Sequence, residues 1–349
     1  MPSLPEPRGP VSAALLGILR KPPHPVAFPV AAPSDPLADE DLHLALYCLY
    51  ELHYRGFDTV DDRWEWEPSL LALRAALEAL FEAALRAAVG PLMPPNGPVD
   101  LALRAIADAD CSPSVSGYLE RHGTAGQVLE FLVHRSAYNL KEADPHAWAI
   151  PRLSGSPKAA LVEVLADEYG GGRPERVHAR LFADTMEAAG LDSSYGAYLE
   201  RIPGVTLATV NLMSFLGLHR RLRGAICGHL ALFEASSSLP NRRYAAALRR
   251  LGLDDQRATA FFEEHVEADA VHEQIATVDL AEGLARAEPH LAGDILWGAR
   301  ALTQLDARWA AYVLGAWEED RTSLRAPLHL HNDAACLAAT TVVQPDLAR

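Results

Sequence analysis

Residues 68–89, PSLLALRAALEALFEAALRAAV, repeat leucine and alanine at helical spacing for about six turns and carry no β-branched run. Pro68 suits a first helical turn, and Gly90-Pro91 stops the pattern. The same texture recurs along the chain, which predicts helices over residues 39–55, 100–108, 113–121, 124–143, 156–169, 174–189, 205–235, 241–251, 255–279 and 290–318. Breaker clusters separate them: PLMPPNGP at 91–98, PRLSG at 151–155, GGG at 170–172 and SSSLPN at 236–241. Strand alternation persists nowhere and no internal repeat is visible, so the chain reads as all-α.

With 349 residues there is enough chain for a large core and a smaller accessory module. Residues 1–36 are rich in proline and read as an irregular leader. Residues 37–98 read as an N-terminal helical extension with its linker, residues 99–325 as the main domain, and residues 326–349 as a tail of unassigned structure. Thirty-one basic against 46 acidic side chains give a formal charge of −15, which argues against nucleic acid or anionic lipid as a partner. No apolar run reaches the roughly 18 residues of a membrane span, and no signal-peptide cleavage pattern is evident. The four cysteines, Cys48, Cys111, Cys227 and Cys336, form no CxxC pair, which predicts a reducing, cytoplasmic setting without a cysteine-bound metal. The N-terminal helix pair is apolar enough to dock on the core or on a second subunit, and a homodimer is expected.

Chemistry concentrates in FFEEHVEADAVHEQIA, residues 261–276. His265, Asp269 and His272 are four and then three residues apart, so they form one column on a helix surface. At about 100° per residue, His272 lies within roughly 20° of His265 around the axis. One reading is a solvated face, since Glu263, Glu264, Glu267 and Glu273 mark a wet side. The other is a metal-binding face, because imidazole and carboxylate suit iron, manganese or zinc.

Further ligands would be acids in otherwise apolar helices, because a buried carboxylate needs a metal or a hydrogen-bonded cation. Glu234 in GHLALFEASSS is one, unless it pairs with Arg242 or Arg243 at a fraying helix end; His229, five residues earlier, points elsewhere. DEYGGGRPERVH offers Glu168 and His178, and FLVHRSAYNLKEADPHAW offers Glu130, His134, Glu142 and His146. The residues alone do not choose among these. Tyr138, Tyr169, Asn211, Arg220, Arg223, Arg242 and Tyr244 are polar groups nearby in sequence, and most are expected at the surface.

The order Glu142, Glu168, His178, Glu234, then His265-x3-Asp269-x2-His272, resembles the heme-oxygenase-like diiron oxidases and oxygenases over roughly residues 120–280. The resemblance implies a seven-helix bundle like that of heme oxygenase, here with an N-terminal helical extension, binding two irons and no haem. It implies Glu142 and His178 as early ligands, Glu234 as a middle, bridging carboxylate, and His265, Asp269 and His272 as the remainder. Glu168 stands where the N-oxygenating branch has an additional carboxylate ten residues before the early histidine. Glu142 and His178 are 36 residues apart, whereas many relatives space these two ligands closely on one helix.

From the same resemblance follow two Fe(II) ions as cofactor, dioxygen as co-substrate, an external electron donor of unknown identity and a small-molecule substrate. The implied reaction is oxygenation of an amine or guanidine nitrogen of an amino-acid-like molecule. Desaturation or C–C cleavage of an amino or fatty acid is the alternative within the family. Outside it stand an iron-binding helical protein without turnover and a purely structural bundle. Glu175-x2-His178 also mimics the E-x-x-H of ferritin-like bundles, a weaker match because Asp269-x2-His272 has no Glu in the second copy.

Overall fold

The computed structural model describes residues 1–91 and 97–328, leaving aside the side chains of residues 269 and 270. The α-helices in chain order are α1 (Pro10–Leu19), α2 (Glu40–Glu51), α3 (Pro68–Val89), α4 (Val99–Asp108), α5 (Val115–Arg121), α6 (Ala125–Asn139), α7 (Asp144–Ala147), α8 (Gly155–Glu168), α9 (His178–Ala188), α10 (Gly204–Leu218), α11 (Arg223–Arg250), α12 (Gln256–Gln274), α13 (Gly283–Ala287) and α14 (Ala292–Glu318). A wider π-turn segment, Ile275–Glu282, links α12 to α13. No strand occurs among the described residues, and the architecture is the expected all-α, heme-oxygenase-like bundle.

Local chemistry explains where the helices begin. The Asp39 carboxylate accepts from the Leu42 amide to open α2, and Asp255 accepts from the Ala258 amide to open α12. At α6, Thr124 and Gln127 cap each other's backbone amides reciprocally. Each such cap satisfies amides that a helix start leaves unpaired, and losing one costs about 1 kcal/mol.

α10 is the hub. Its sequence, GVTLATVNLMSFLGL, is buried on every side except near Thr209 and Leu218. α2, α6, α7, α11 and α14 pack around it. An all-round apolar helix can only be stable in the middle of a bundle. α11 and α14 cross very closely: a Cβ added at Gly228 would meet the Ile295 carbonyl oxygen at 1.8 Å, and one at Gly298 would meet that of Ala225 at 1.9 Å. These two glycines let the backbones touch.

Three expectations are corrected. The predicted helix over 205–235 breaks at His219, where a short 3-10 turn (Arg220–Leu222) intervenes and the Arg152 guanidinium takes the carbonyls of Gly217 and Leu218. Conversely, α11 runs straight through SSSLPN with Pro240 inside it. Within that stretch the Ser236 hydroxyl donates back to the Leu232 carbonyl at 2.7 Å, the four-residue back-bond common to serine inside a helix. The leader is not wholly irregular either, since Pro10–Leu19 forms α1, whose first amides are held by the Asp41 carboxylate of α2.

The N-terminal helices dock on their own chain, α2 against α10 and α3 against α14. Every α2 residue from Leu42 to Glu51 is buried, so the apolar face that suggested a homodimer is covered within the chain. Most of the predicted tail, residues 329–349, lies outside the described residues, as do residues 92–96 of the linker. No helix among the described residues is long and apolar enough to cross a membrane.

Candidate metal centre

Four helices and one turn converge on a buried set of acids and imidazoles. Ligand-type atoms of Glu142, Glu168, His178 and His265 all lie within 4.8 Å of one another, and so do those of Glu168, Glu234 and His272. Glu168 belongs to both groups. The sequence resemblance implies Glu234 as the bridging carboxylate; in the structure Glu234 belongs to the second group alone. All six residues are buried.

Each side chain arrives by a distinct route. His265 and His272 project from α12 on the shared face that their spacing predicts. Asp269 lies between them on the helix, but its side chain falls outside the described residues. Glu234 comes from the middle of α11. Glu168 is the last residue of α8 and His178 the first of α9. Between them Gly170, Gly171 and Gly172 all adopt positive φ, which turns the chain within four residues.

Glu142 departs from the predicted helix over 124–143. α6 ends at Asn139, and Glu142 sits in the following turn. Ala143 has φ 73° and ψ −30°, a left-handed conformation costing a residue with a Cβ roughly 1–2 kcal/mol. Local strain of this kind persists where surrounding contacts over-determine it. Those contacts are visible next door. Lys141 is buried, with its ammonium 3.3 Å from the Glu51 carboxylate and over the rings of Tyr47 and Tyr54, while the Tyr195 hydroxyl donates to Glu51 at 2.6 Å. Lys141 is thus pulled toward α2 as Glu142 is turned to the core.

The imidazoles are oriented. His265 Nδ1 donates to the Phe261 carbonyl at 2.7 Å, which leaves Nε2 facing Glu142 Oε1 at 3.7 Å. His272 Nε2 donates to the exposed Asp167 carboxylate at 3.1 Å, leaving Nδ1 toward Glu234 Oε2 at 3.5 Å. A hydrogen bond on one ring nitrogen that frees the other for a metal is the usual support of histidine ligands. His178 Nδ1 approaches Glu168 Oε2 to 2.9 Å.

The donor atoms find few partners outside the cluster. Glu142 Oε2 is buried without a hydrogen-bond partner, Glu168 Oε2 and His178 Nδ1 face each other at 2.9 Å, and His272 Nδ1 faces Glu234 at 3.5 Å. Buried polar atoms are almost always paired outward to the fold, so acids and imidazoles left to face one another here fit a cation at their focus. Oxygen and imidazole donors without thiolate suit iron, manganese or zinc.

Electrostatics give the metal-free state its character. Burial alone would lower the His265 imidazole, but the Glu142 and Glu168 carboxylates hold it up at about 10. His272 is likewise opposed by burial, yet Glu234 and Asp167 hold it at about 9. Burial would raise Glu168, but His178, His265 and His272 bring it down to about 2. Burial pushes Glu142 up. At neutral pH, His265 and His272 therefore carry protons that a metal must displace. Loading the metal-free protein at pH 7 is expected to release about two protons per chain, read with an indicator dye in weak buffer, and apparent affinity should rise with pH until about pH 10. Loading without proton release would contradict these charged pairs.

Other candidates fall elsewhere. Glu130 accepts from the Trp317 indole and from the backbone and hydroxyl of Ser323, and His134 bonds Thr206 and Ser323, so both clamp the chain after α14. Glu175 is exposed, which leaves the ferritin-like spacing without its acid. His146 and His229 form a buried pair with nitrogens 3.3 Å apart. Glu234 pairs with neither Arg242 nor Arg243 among the described contacts; Arg243 faces Glu120. Tyr138, Asn211 and Tyr244, expected at the surface, are buried, whereas Tyr169, Arg220 and Arg242 are exposed.

Beside Glu142 and His265 opens a cavity of about 140 Å³ walled by Phe131, Phe233, Tyr244, Phe261 and Phe262. Arg135 and Asp306 also line it. Sequence reading missed these two, because nothing local marks residues that meet from α6 and α14 across 171 positions.

Residues 129–307, just over half of the chain, match the family described as iron-containing redox enzymes. Over 149 residues the chain is 30% identical to a nitrosourea synthase of Streptomyces achromogenes subsp. streptozoticus. The aligned part makes up 42% of this chain and 31% of the relative, so the chain spans less than a third of that protein's length.

Proposed function

The chain belongs to the iron-containing redox enzymes, and from that premise we propose that it is a non-haem diiron oxygenase acting on an amine or guanidine nitrogen of a small, amino-acid-like molecule. The observation that carries this reading is the pair of buried ligand groups sharing Glu168. Glu142, Glu168, His178 and His265 would hold one iron. Glu168, Glu234 and His272 would hold the other, with Asp269, one turn beyond His265 on α12, completing the set. A diferrous pair so held would supply the electrons that activate dioxygen, one oxygen atom passing to nitrogen and the other to water with two electrons from an external donor.

The protein's own part follows from its chemistry. Four carboxylates (Glu142, Glu168, Glu234 and Asp269) would offset the four positive charges of two ferrous ions, while the imidazoles fix positions without adding charge. Burial holds the Tyr138 hydroxyl protonated beside Glu142, Glu168 and Glu234, where it can donate a hydrogen bond. The phenylalanine walls keep bulk water from the reacting end of a substrate. The relative's name supports nitrogen as the target, since a nitrosourea carries oxidised nitrogen.

Anaerobic loading with ferrous iron should give two irons per chain. Subsequent exposure to oxygen and a reductant should consume oxygen and put label from isotopic dioxygen onto an amine or guanidine, detected by mass spectrometry. Iron bound without oxygen consumption under any reductant would defeat the oxygenase reading in favour of an iron-binding protein. Olefin or shortened-chain products from aliphatic acids would move the reaction to the desaturating and C–C-cleaving branch.

A further inference from the structure

The cavity beside Glu142 and His265 has a polar end and an aromatic middle. At its far side, Arg135 lies over the Trp309 ring, 4.2 Å from the centroid, and 5.9 Å from that of Phe131. Asp306 lines the same cavity from α14. Both side chains are half-buried; Arg135 is hydrogen-bonded to the Tyr244 hydroxyl, and neither charge forms an ion pair with a described residue. Burial raises the Asp306 carboxyl and Arg135 opposes that rise, which places the two charges within reach of each other's field. Between this end and Glu142 stand Phe131 and Tyr244, stacked with centroids 4.2 Å apart, and Phe262. A second cavity of about 470 Å³ shares Arg135, Ser236, Pro240, Tyr244 and Asp306 with the first, so these residues stand where the outer space meets the inner one.

A cation and an anion on one wall, in each other's field but in no direct ion pair, fit a ligand that carries both signs at one end. A guanidinium takes a carboxylate through two parallel hydrogen bonds, and its stacking on Trp309 presets the plane of that fork. We propose that Arg135 and Asp306 anchor the head of a zwitterionic α-amino acid, Arg135 taking its carboxylate and Asp306 its ammonium, while the side chain runs past the aromatic walls toward Glu142 and His265. Asn139 and Asn241, which also line the cavity, supply further polar contacts along that path. The anchor rests on the oxygenase reading for its purpose, but not for its detection, because binding can be measured without turnover.

The test is calorimetric titration of the full-length, anaerobic ferrous protein with L-lysine and L-arginine. Cadaverine, which lacks the carboxylate, and ε-aminocaproate, which lacks the α-amine, serve as truncated probes. The amino acids should bind at least about tenfold more tightly than either, the worth of roughly one charge-assisted hydrogen bond. Arg135→Gln should erase the advantage of L-lysine over cadaverine, and Asp306→Asn its advantage over ε-aminocaproate, with iron content unchanged in both. Arg135→Lys, which keeps charge but loses the fork, should fall between wild type and Arg135→Gln. Equal binding of all probes, no binding of either amino acid, or equal weakening of every probe in the variants would overturn the anchor. The comparison within the wild-type protein decides even if a variant fails to fold. Iron stoichiometry and oxygen consumption in the same samples report separately on the oxygenase reading.

Discussion

Replacing Glu168 by alanine is expected to empty both metal positions together, with iron falling from two per chain to less than one. Glu168 is the residue that the two candidate ligand groups have in common, and its Oε2 is buried with the His178 imidazole, itself in one of those groups, at 2.9 Å. Losing groups that only orient a ligand costs about 10–100-fold in metal affinity, and removing the shared donor should exceed that. Oxygen consumption should drop on the order of 100-fold or more with it. Glu234→Ala should be milder, emptying the position near His272 and leaving the one near His265 partly filled. Iron analysis after anaerobic loading and gel filtration reads this out, with Glu130→Ala as the control outside the centre. Should Glu234→Ala strip both irons while Glu168→Ala spares one, the bridging place returns to Glu234.

Gly228→Ala is expected to be the most damaging small substitution in the bundle. The new Cβ would lie 1.8 Å from the Ile295 carbonyl oxygen, a backbone atom that cannot step aside. The helices α11 and α14 must separate along their length, at a cost of about 3 kcal/mol or more by analogy with overpacked cores. For a chain larger than about 150 residues this corresponds to a fall in melting temperature of roughly 6–12 °C. Glu234 lies six residues further along α11, so iron affinity should fall as well. Gly315→Ala on α14 is the control, because nothing lies within 4 Å of its added Cβ. There alanine removes backbone freedom from the unfolded chain and should be neutral or stabilising by up to about 1 kcal/mol. Equal melting temperatures for Gly228→Ala and wild type would show that the contact yields.

What could be read beforehand differs residue by residue. His265 and His272 were legible because both sit on one helix, where period alone sets their common direction. Glu168 and His178 were visible as types but not as neighbours, since three consecutive glycines with positive φ decide how α8 meets α9. Glu142 was placed one turn too deep in α6, because the strained Ala143 obeys tertiary contacts rather than propensity. SSSLPN looked like a boundary by composition. The packing of α11 carries the helix through it, while the true break at His219 is marked by a single glycine, Gly217, and no proline. The double membership of Glu168, and the meeting of Arg135 with Asp306, depend on distances between helices that no spacing along the chain encodes.

The turn that presents Glu142 has a bearing on what counts as the smallest working piece of this protein. Lys141 answers to Glu51, 90 residues earlier on α2, and that partner lies outside the stretch 129–307 that matches the family. A fragment trimmed to the matching stretch would leave a buried ammonium without its direct ion-pair partner immediately beside Glu142, a candidate ligand. The cheapest relief is for Lys141 to swing toward solvent, and the relaxed Ala143 would carry Glu142 away with it. The segment through α2 thus braces a candidate centre to which it contributes no candidate ligand. Inheritance of the catalytic core without that brace would require a new partner for position 141, so the two segments are bound to change together.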